Sequence, residues 1–564
     1  MTQKLRIKRI VFKAGSAPGS PALDADIPNV TILVGPNNSG KSRSLRELEV
    51  WAQGQNPELS LIDRVELDLP DTFDDLLAML QTQKAAPPRG QLDEVNHFWI
   101  ARPMIRHGED PLHQRVNIDS LKQWFDNNDI RQIRQILVRT FTLRLDGRTR
   151  FDLVEPKETG PLEEYPKNHL WALFANDDGR EKVREFTEEA FGKHFVIDPT
   201  GMNQFRVRLS GRKPKTKNEE QALDDRARKF HQKAELVSEL GDGVRTSVGL
   251  VSAVMSLPHR ILLIDEPEAF LHPTLARRVG RVLAQSARER EATLVVATHS
   301  ADFLMGCIQS APKLRLIRLT YTDQKATARS IDPSEIVNLM NDPLLRSANA
   351  LRALFHRGVV VTEADADRAF YEEVNHRLLH DDMGIEDSLF MNAQNWQTIP
   401  RIANPLRHLG IPAAAVFDFD VLMDNDFKCV WPLLHLKKGA KLTALQSERA
   451  DVKALMDKKG RLACKKSGLS AFKGAEKAKI ENFIESMRKF GIFFVPVGEL
   501  ECWLASLGIP KINDKPKWLA SIFTAMGSDP TDPGYLSAGA DDVWSFINSI
   551  ESWVNDPKRQ GIPS

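Results

Sequence analysis

One stretch of the sequence suits phosphate binding. Residues 29–42 read NVTILVGPNNSGKS, an apolar run followed by two glycines with four residues between them, a lysine and a serine. Glycines at this spacing let successive backbone N–H groups face the β- and γ-phosphates of a nucleotide. Lys41 would add a positive charge, and the Ser42 hydroxyl would bind magnesium. The expected nucleotide contacts are Gly35, Asn37, Asn38, Ser39, Gly40, Lys41 and Ser42.

A second stretch supplies the carboxylates that such a site needs. Residues 261–268 read ILLIDEPE, in which four apolar residues precede two adjacent acids. This run is too short for a buried helix and predicts a central parallel strand. Asp265 suits a magnesium ion, and Glu266 suits an attacking water. The alternative is a strand that ends in a solvated acidic turn, but the phosphate-binding loop makes that alternative the weaker one.

Two further stretches belong with these. Residues 236–245 read LVSELGDGVR, a glycine-rich turn at Gly241 and Gly243 that precedes an apolar helix, which is a potential anion site. Residues 292–300 read ATLVVATHS, a buried strand that ends at His299. A lone histidine at a strand end is usually structural. Beside the Asp265 strand, His299 would be placed to sense a γ-phosphate.

The second half of the chain has its own group of acids. Glu363 and Asp418 each follow an apolar run that predicts a strand, and these strands alternate with helices. Parallel strands in such a βαβαβ unit bring both acids to one carboxyl edge. Asp420 would point to the same side as Asp418 if the chain stays extended, and Asp367 would face back from the first helical turn. Converging carboxylates repel unless a cation neutralises them, so this edge predicts a magnesium site; scattered surface acids are the alternative.

The composition is that of an ordinary globular protein. The chain has 564 residues, 42% of them hydrophobic, and a net charge of +1, so any nucleic-acid surface must be local. Its four cysteines lie far apart, which disfavours a zinc site or a disulfide scaffold. The polar N-terminal residues are not typical of a signal peptide, and no apolar run is long enough to span a bilayer. We therefore expect a cytoplasmic protein without membrane contact.

These motifs divide the chain into two α/β parts. We expect a nucleotide-binding head in residues 1–51 and 234–345, because the two nucleotide motifs lie far apart in sequence. Residues 52–233 would form an insertion, which is a candidate dimerisation region, and residues 346–564 would form a second α/β domain with a basic helical insertion at 437–489. We read the terminal helix, with Phe546, Ile547, Ile550 and Trp553 on one face, as a packing helix.

The nucleotide motifs resemble those of a known class. GPNNSGKS, LGDGVR, ILLIDEPEAFLHP and VVATHS, in this order, are similar to the Walker A, signature, Walker B and switch-histidine motifs of ABC-type ATPase heads, nearest to the RecF/SMC-like branch. The resemblance implies that two protomers enclose ATP and that each signature turn completes the partner's site. Gly241 stands where that signature usually has a serine, although backbone N–H groups and the helix dipole remain.

The acids of the second half resemble a Toprim domain. VVVTEADADRAFY carries Glu363 and Asp367 in the family's spacing, and VFDFD matches its Asp-x-Asp at Asp418 and Asp420. GIFFVPVGELECW resembles the later strand and acid of the nuclease members, with Glu501 favoured over Glu499. Ala364 stands where a glycine is common, which could crowd a phosphate. The resemblance implies that Glu363, Asp367, Asp418, Asp420 and Glu501 hold two Mg²⁺ or Mn²⁺ ions about 3.5–4 Å apart.

An ABC-type head followed by a Toprim domain resembles the OLD (overcoming lysogenization defect) family of nucleases. This resemblance implies ATP-regulated, metal-dependent DNA cleavage by a homodimer or larger homo-oligomer. It also implies a role in bacterial defence against phage, with a partner protein from a defence operon as a further expectation. The rivals are an ATP-switched DNA sensor or scaffold with an inactive Toprim domain, which recruits another effector, and a DNA-repair ATPase of the RecF type.

Two basic segments are candidates for DNA contact. Residues 437–489 contain 15 Lys and Arg against six Asp and Glu, and residues 206–217 place six Lys and Arg around a Gly/Pro turn. Phosphate contact and a merely solvated surface both account for such charge.

Overall fold

A computed structural model of the chain describes residues 4–55, 58–87, 96–103, 105, 112–322, 325–510 and 514–563. None of the helices in these ranges is long and apolar enough to cross a membrane.

Within its described residues, the first part of the head contains eight strands and five α-helices. The strands are β1 Arg6–Phe12, β2 Asp24–Asp26, β3 Val30–Val34, β4 Ile62–Asp68, β5 Lys84–Ala85, β6 His97–Arg102, β7 Leu112–Asn117 and β8 Thr142–Leu145. The helices are α1 Lys41–Ala52, α2 Phe73–Gln81, α3 Ile118–Asp126, α4 Ile130–Ile133 and α5 Arg139–Phe141.

The head continues to residue 347 with a further set of strands and helices. The strands are β9 Lys157–Glu158, β10 His194–Asp198, β11 Gln204–Ser210, β12 Glu235–Leu236, β13 Ile261–Asp265, β14 Thr293–Ala297, β15 Arg315–Thr322 and β16 Lys325–Ile331. The helices are α6 His169–Ala175, α7 Asp177–Phe191, α8 Lys217–Gln221, α9 Asp225–Gln232, α10 Asp242–Ser256, α11 Pro273–Glu289, α12 Ala301–Ser310, α13 Pro333–Asn341 and α14 Pro343–Ser347.

The central sheet of the head has the order β16-β15-β3-β14-β13-β8. All neighbouring pairs are parallel except the β15–β16 hairpin. Strands β3, β13 and β14 are buried along their whole length, which explains their continuous apolar sequence. Because β14 lies between β3 and β13, the motifs that follow these three strands meet at one edge.

The structure differs from the expected boundaries of the insertion at residues 52–233. Strand β8 lies inside that range but pairs in parallel with β13, so it is the edge strand of the head sheet. Strand β4 also lies inside it and pairs with β1. Sequence periodicity did not show this, because a four-residue edge strand has too little pattern to be assigned to a particular sheet.

The second domain begins after a 3₁₀ segment, Ala350–Phe355. Its strands are β17 Gly358–Thr362, β18 Ser388–Asn392, β19 Ala413–Phe417 and β20 Ile492–Phe494. Its helices are α15 Asp365–His380, α16 Ile399–His408, α17 Ala440–Lys459, α18 Arg461–Ser467, α19 Gly474–Arg488, α20 Lys515–Met526 and α21 Asp542–Asn555. The sheet order is β18-β17-β19-β20 and every pair is parallel, so the expected βαβαβ arrangement is present.

The two domains share part of their core. One continuous apolar cluster includes Val296 of the head sheet and Val361 of the second sheet. Arg318 of β15 reinforces the junction by donating hydrogen bonds to the carbonyls of His356 and Gly410. The terminal helix α21 buries its apolar face against the second sheet, as expected of a packing helix.

Candidate functional site

The phosphate-binding loop connects β3 to α1 and depends on its glycines. Gly35 has φ 141° and Gly40 has φ 94°, conformations that a side chain strains. A Cβ at Gly35 would lie 2.0 Å from the carbonyl oxygen of Leu319. Asn38 also has a positive φ, 57°, which asparagine tolerates better than most residues. The loop is therefore built by backbone constraints at the positions that the sequence predicted.

Lys41 is folded against its own loop. Its ammonium group donates hydrogen bonds to the carbonyls of Gly35 at 2.8 Å and Pro36 at 2.6 Å, and to the Ser39 hydroxyl at 3.2 Å. Burial lowers the pKa of Lys41 to about 8, against the opposing effect of nearby acids. A phosphate would compensate this buried cation better than two carbonyls do, because hydrogen bonds between charged groups are stronger.

Ser42 and Asp265 meet as the sequence predicted. The Ser42 hydroxyl donates to Asp265 Oδ1 at 3.0 Å, although 223 residues separate the two. Burial raises the pKa of Asp265. These two oxygens suit a magnesium ion that also contacts a nucleotide. The buried Arg150, which sequence reasoning missed, donates to the backbone carbonyl of Asp265 and fixes the end of β13.

Glu266 and His299 lie together at the same edge. Glu266 Oε1 is 4.0 Å from His299 Nε2, and the Glu266 side chain is half exposed. Burial, followed by the charge of Lys41, lowers the pKa of His299 to about 4, so the ring is neutral near pH 7. Glu268, another residue not expected in the site, accepts a hydrogen bond from the His299 backbone N–H at 2.6 Å. It therefore positions His299.

A residue of the second domain reaches this site. Asp387, which immediately precedes β18, accepts a hydrogen bond from the backbone N–H of Asn37 at 3.0 Å. His356 Nδ1 lies 3.3 Å from the other oxygen of Asp387. Asn37, Glu266, His299, Arg352 and Asp387 are among the residues that line a cavity of about 620 Å³. The loop N–H thus already binds a carboxylate, which shows that it suits an anion.

The signature turn is at the N-terminus of α10 and faces solvent. Gly241 and Asp242 are exposed, and a Cβ added at Gly241 would meet no atom within 4 Å. A Cβ at Gly243 would lie 3.2 Å from the carbonyl oxygen of Phe270. The Phe270 side chain is itself exposed. The turn therefore has room for a ligand or a second protein surface.

In the second domain, β17, β19 and β20 bring the predicted acids to one edge. Glu363 follows the central strand β17, and Asp418 follows its neighbour β19. Asp367 lies in the first turn of α15, where its carboxylate accepts the Ala364 backbone N–H at 2.9 Å. Ala364 has an extended backbone, with φ −128°, so the loss of the usual glycine causes no backbone strain there.

The chain does not stay extended from Asp418 to Asp420, which was the condition for their side chains to point to the same side of the strand. A 3₁₀ helix, Phe419–Met423, begins directly after Asp418. Asp420 is nevertheless buried close to the same acids, and Arg461 of α18 lies 3.5 Å from its carboxylate. The tight helix pulls the chain down onto the domain core, where Phe419 and Leu422 are fully buried.

The acids also act on one another electrostatically. Burial raises the pKa of Glu363, and Asp367 and Asp420 raise it further. Burial also raises the pKa of Asp418 well above its usual value, with added repulsion from Asp367, Glu363 and Asp420. These carboxylates therefore share one local environment that demands positive charge.

Glu501 and Glu499 differ in their surroundings. Glu499 lies 4.0 Å from Lys465 of α18. Glu501 Oε2 is buried without a hydrogen-bond partner. Glu501 also interacts electrostatically with a second lysine, Lys515, as Asp367 and Asp418 do. This placement favours Glu501 as the fifth acid of the cluster.

Lys515 is the first residue of α20. Its ammonium nitrogen lies 3.4 Å from Asp367 Oδ1. Burial opposes its charge, yet Asp367, Asp418, Glu501 and Glu363 together raise its pKa above the ordinary value. Nothing in the sequence spacing pointed to this lysine, because 148 residues separate it from Asp367.

The donor set suits a hard divalent cation. All five acids offer oxygen only, which favours magnesium or manganese over zinc. Within the described ranges no three His, Cys, Asp or Glu side chains are already grouped closely enough to hold a metal ion. The Glu501 Oε2 atom is buried without a hydrogen-bond partner, and burial together with the neighbouring acids raises the pKa of Asp418 even though Lys515 opposes the rise. The residues present therefore fit such an ion.

The basic segments have different surroundings. In residues 206–217 most cations are paired with acids: Arg206 and Arg208 contact Asp198, Arg212 contacts Glu219, Lys213 contacts Glu181 and Lys217 contacts Asp177. In residues 437–489, α18 brings Arg461 and Lys465 beside the acid cluster. The second segment is thus the one next to the predicted metal site.

Two family models match the chain. The family described as "AAA domain, putative AbiEii toxin, Type IV TA system" matches residues 124–306. The family described as "Overcoming lysogenization defect protein-like, TOPRIM domain" matches residues 354–420. These matches imply nucleotide and divalent-metal use. They confirm the predicted order of an ATPase head and a C-terminal Toprim domain.

Curated relatives match part of the chain. An OLD nuclease of Thermus scotoductus is 28% identical over 192 residues, which is 32% of this chain and 36% of that protein. A phosphonates import ATP-binding protein PhnC of Wolinella succinogenes is 34% identical over 77 residues, 14% of this chain and 28% of that protein. The chain thus spans about a third of the length of the relatives it matches.

Solved structures of ATPase heads are also similar. An SMC head bound to the C-winged helix domain of ScpA is 13% identical, with a TM-score of 0.33. The match covers 59% of this chain and 99% of the SMC head chain. The SMC head domain from Thermotoga maritima is 13% identical, with a TM-score of 0.30; the match covers 58% of this chain and 99% of that domain's chain.

Proposed function

We propose that this chain, an ABC-type ATPase head joined to an OLD-like Toprim domain, is an ATP-regulated, divalent-metal-dependent DNA endonuclease. The observation that carries the proposal is the cluster of five acids at the carboxyl edge of the second sheet, four of which act electrostatically on Lys515. A domain with only a structural role has no use for so much buried like charge, because each uncompensated carboxylate destabilises the fold.

The acids would hold the metal, and neighbouring side chains would place the substrate. Glu363, Asp367, Asp418, Asp420 and Glu501 offer the ligand oxygens for Mg²⁺ or Mn²⁺. When bound, such ions activate water and stabilise charge that develops on phosphodiester oxygens. Glu363 lies at the centre of the edge, where its carboxylate can take a proton from the attacking water. Lys515 can contact the scissile phosphate, since its ammonium nitrogen lies 3.4 Å from Asp367 Oδ1 and interacts electrostatically with Asp418, Glu501 and Glu363.

In the head, Lys41 would exchange its loop carbonyls for the β- and γ-phosphates, while Ser42 and Asp265 hold magnesium. Glu266 would orient the attacking water, and the neutral His299 would contact the γ-phosphate. The open signature turn at Gly241 and Gly243 supports a homodimer, or a larger homo-oligomer, in which it completes the partner's site.

DNA would lie along the basic surface of residues 437–489. Helix α18 connects that surface to the acids, because Arg461 contacts Asp420 and Lys465 contacts Glu499. A role in defence against phage, a partner protein from a defence operon and a cytoplasmic location rest on the resemblance to OLD nucleases and remain predictions.

One observation favours the second candidate function, an ATP-switched DNA sensor whose Toprim domain does not cut. Lys515 supplies positive charge to the acids without any metal. In that case the lysine would be a permanent counter-ion, and the domain would bind DNA and recruit another effector.

Supercoiled plasmid distinguishes the two functions. Purified protein should nick or cut it with Mg²⁺ or Mn²⁺, with ATP changing the rate, and EDTA should stop the reaction. Asp418→Asn and Glu363→Gln should abolish cleavage and keep ATP hydrolysis, since the two sites lie in different domains. Binding of DNA without cleavage under every metal and nucleotide condition would support the sensor instead.

A further inference from the structure

A partly enclosed cavity of about 150 Å³ lies where the head meets the second domain. Its wall combines the β15–β16 hairpin, the loop between α16 and β19, and the residues that follow α21. By the same measure a single water needs roughly 10–15 Å³, so the cavity has room for a small oxyanion. It is separate from the nucleotide-binding loop and from the acid cluster.

The wall of this cavity is basic. Five side chains that line it carry positive charge, and none of the described lining residues is an aspartate or glutamate. The five are Arg318, Lys325, Arg329, Arg357 and Arg559. They come from the head, from the entry to β17 and from the C-terminal residues, so distant parts of the chain converge on one point.

Three of these arginines lack a carboxylate partner. Within the described part of the chain, no acid lies within 4.0 Å of the guanidinium groups of Arg318, Arg329 or Arg559; Asp387, Glu335 and Asp556 act on them only from farther away. Arg357 differs, because it contacts the exposed Glu386 at 3.1 Å.

The three arginines bond to backbone carbonyls instead. Arg329 donates to the carbonyls of His408 and Pro563, and Arg559 donates to that of Asp556. Arg318 is only 4% exposed, and its Nε is buried without a hydrogen-bond partner. Carbonyl bonds hold the guanidinium groups in place, but they do not neutralise them.

The positive charges of these arginines destabilise one another in the absence of an anion. Burial lowers the pKa of Arg318 to about 9, and repulsion from Arg559 and Arg329 contributes. Burial also lowers the pKa of Arg559 to about 10. Buried charges without counter-charge destabilise a fold, whereas guanidinium groups around a cavity match the geometry of a tetrahedral oxyanion.

We propose that this cavity binds a phosphoryl group, either as an inorganic phosphate or pyrophosphate or as the phosphate end of a nucleotide. Arg318, Arg329 and Arg559 would surround the anion, and Lys325 would close the cavity from the hairpin. Because these residues belong to both domains, the bound anion would strengthen the junction between them. The inference is independent of the nuclease proposal.

The experiment uses the full chain with Lys41→Ala, which removes the main phosphate contact of the nucleotide-binding loop. Calorimetry and thermal unfolding with inorganic phosphate, pyrophosphate and ADP, without divalent metal, would measure binding at the remaining site. We expect saturable binding of at least one of these ligands and a higher unfolding temperature. Preference for pyrophosphate over ADP would indicate the inorganic source, and the reverse would indicate a nucleotide.

Substitutions in the same background locate the site. Arg559→Gln should weaken binding by about tenfold or more, because it removes a charge-assisted hydrogen bond. Lys325→Gln, at an exposed position that does not endanger folding, should weaken it less. Lys313→Gln, an exposed lysine before the other strand of the hairpin, is the matched control and should change nothing. Equal binding in Lys325→Gln, Arg559→Gln and the control, or no binding at all, would show that the cavity binds no phosphoryl group and that the arginines serve only to hydrogen-bond backbone carbonyls.

Discussion

The carboxylate of Asp387 accepts a hydrogen bond at 3.0 Å from the backbone N–H of Asn37, which belongs to the nucleotide-binding loop. Asp387 directly precedes β18 of the Toprim sheet. At the other end of that strand, Asn392 donates a hydrogen bond to Asp365, which lies between the predicted metal ligands Glu363 and Asp367. A single five-residue strand therefore connects the ATP site with the carboxylate edge.

We expect Asp387→Asn to strengthen ATP binding. The carboxylate stands where phosphate charge must approach, and repulsion between two such charges is worth about 1 kcal/mol or more, or about fivefold in affinity. Asparagine keeps the hydrogen-bond acceptor and tolerates the positive φ of 49° at this position. Nucleotide titration measures the effect. Asp381→Asn, an exposed acid at the end of α15, is the control. Unchanged or weaker ATP binding in Asp387→Asn would contradict the expected repulsion.

Glu266→Gln should retain nucleotide and lose turnover. The side chain lies beside His299 at the edge of the loop, and a group that activates water contributes about 100-fold or more to the rate. Lys41→Ala should instead weaken ATP binding, because it removes the buried ammonium group.

Binding and hydrolysis assays on both variants separate these roles. Arg43→Ala removes an exposed charge close by in the sequence and should affect neither quantity. Equal ATP affinity in wild type and Lys41→Ala would mean that the loop does not bind nucleotide in the expected way.

The parts of the fold that followed from the sequence are those encoded locally. Apolar runs that end in acids defined β13, β17 and β19, since a buried parallel strand needs a continuous apolar sequence. Glycine spacing defined the nucleotide-binding loop. In each case the signal and the structure occupy the same short stretch of chain.

The residues that sequence reasoning missed depend on tertiary folding. Asp387 reaches Asn37 across 350 residues, and Lys515 reaches Asp367 across 148. Strand β8 joined the head sheet rather than an inserted domain for the same reason. A single carboxylate, a single lysine or a four-residue strand has no periodicity that identifies its partner. The turn at Phe419 is a local example, because the Asp-x-Asp pattern does not distinguish a strand from a tight helix.

Removing charge from residues 458–466 should reduce the salt dependence of DNA binding. Replacement of Lys458, Lys459, Lys465 and Lys466 by glutamine should lower the log–log slope by about 0.9 for each duplex phosphate that the protein no longer neutralises. Binding should weaken about equally for all sequences. Fluorescence anisotropy across a salt series provides the slope.

The paired lysines of the other basic segment provide the control for that experiment. Lys213 and Lys217 contact Glu181 and Asp177, so replacing them with glutamine should leave the slope unchanged. If both sets of variants have the slope of the wild type, the surface of residues 437–489 is solvated and does not contact phosphate.

Acid should destabilise the head through two buried histidines. Burial lowers the pKa of His169 to about 4 and that of His259 to about 3, from an unfolded value near 6.5. The folded state therefore favours the neutral rings. Their contribution to the free energy of unfolding is complete above about pH 6.5 and is lost as the pH falls toward about 4. Each histidine can reduce the free energy of unfolding by up to about 1.4 kcal/mol per pH unit in this window.

Thermal unfolding between about pH 7 and about pH 5 tests this dependence. In His259→Gln the unfolding temperature should decline less steeply as the pH falls, because the buried side chain can no longer take up a proton. His272→Gln, at an exposed position, should leave it as in the wild type. A decline as steep in His259→Gln as in the wild type would assign the acid sensitivity to other groups.

Lys515→Met should separate metal binding from cleavage. The ammonium group competes with a divalent cation for the same carboxylates, since it lies 3.4 Å from Asp367 and interacts with Asp418, Glu501 and Glu363. Its removal should therefore leave Mn²⁺ affinity unchanged or higher. Cleavage should nevertheless fall by about 100-fold or more, because the variant lacks the Lys515 ammonium group that we expect to contact the reacting phosphate.

Calorimetry with Mn²⁺ and plasmid cleavage, both on the full chain, measure the two effects. Lys517→Met is the matched control: this lysine lies on the same helix, is largely exposed and forms an ion pair with Asp514 at 2.9 Å. It should bind metal and cut DNA as the wild type does. Weaker Mn²⁺ binding in Lys515→Met would mean that Lys515 holds the acids in position. Cleavage at the wild-type rate would mean that the reaction does not use it.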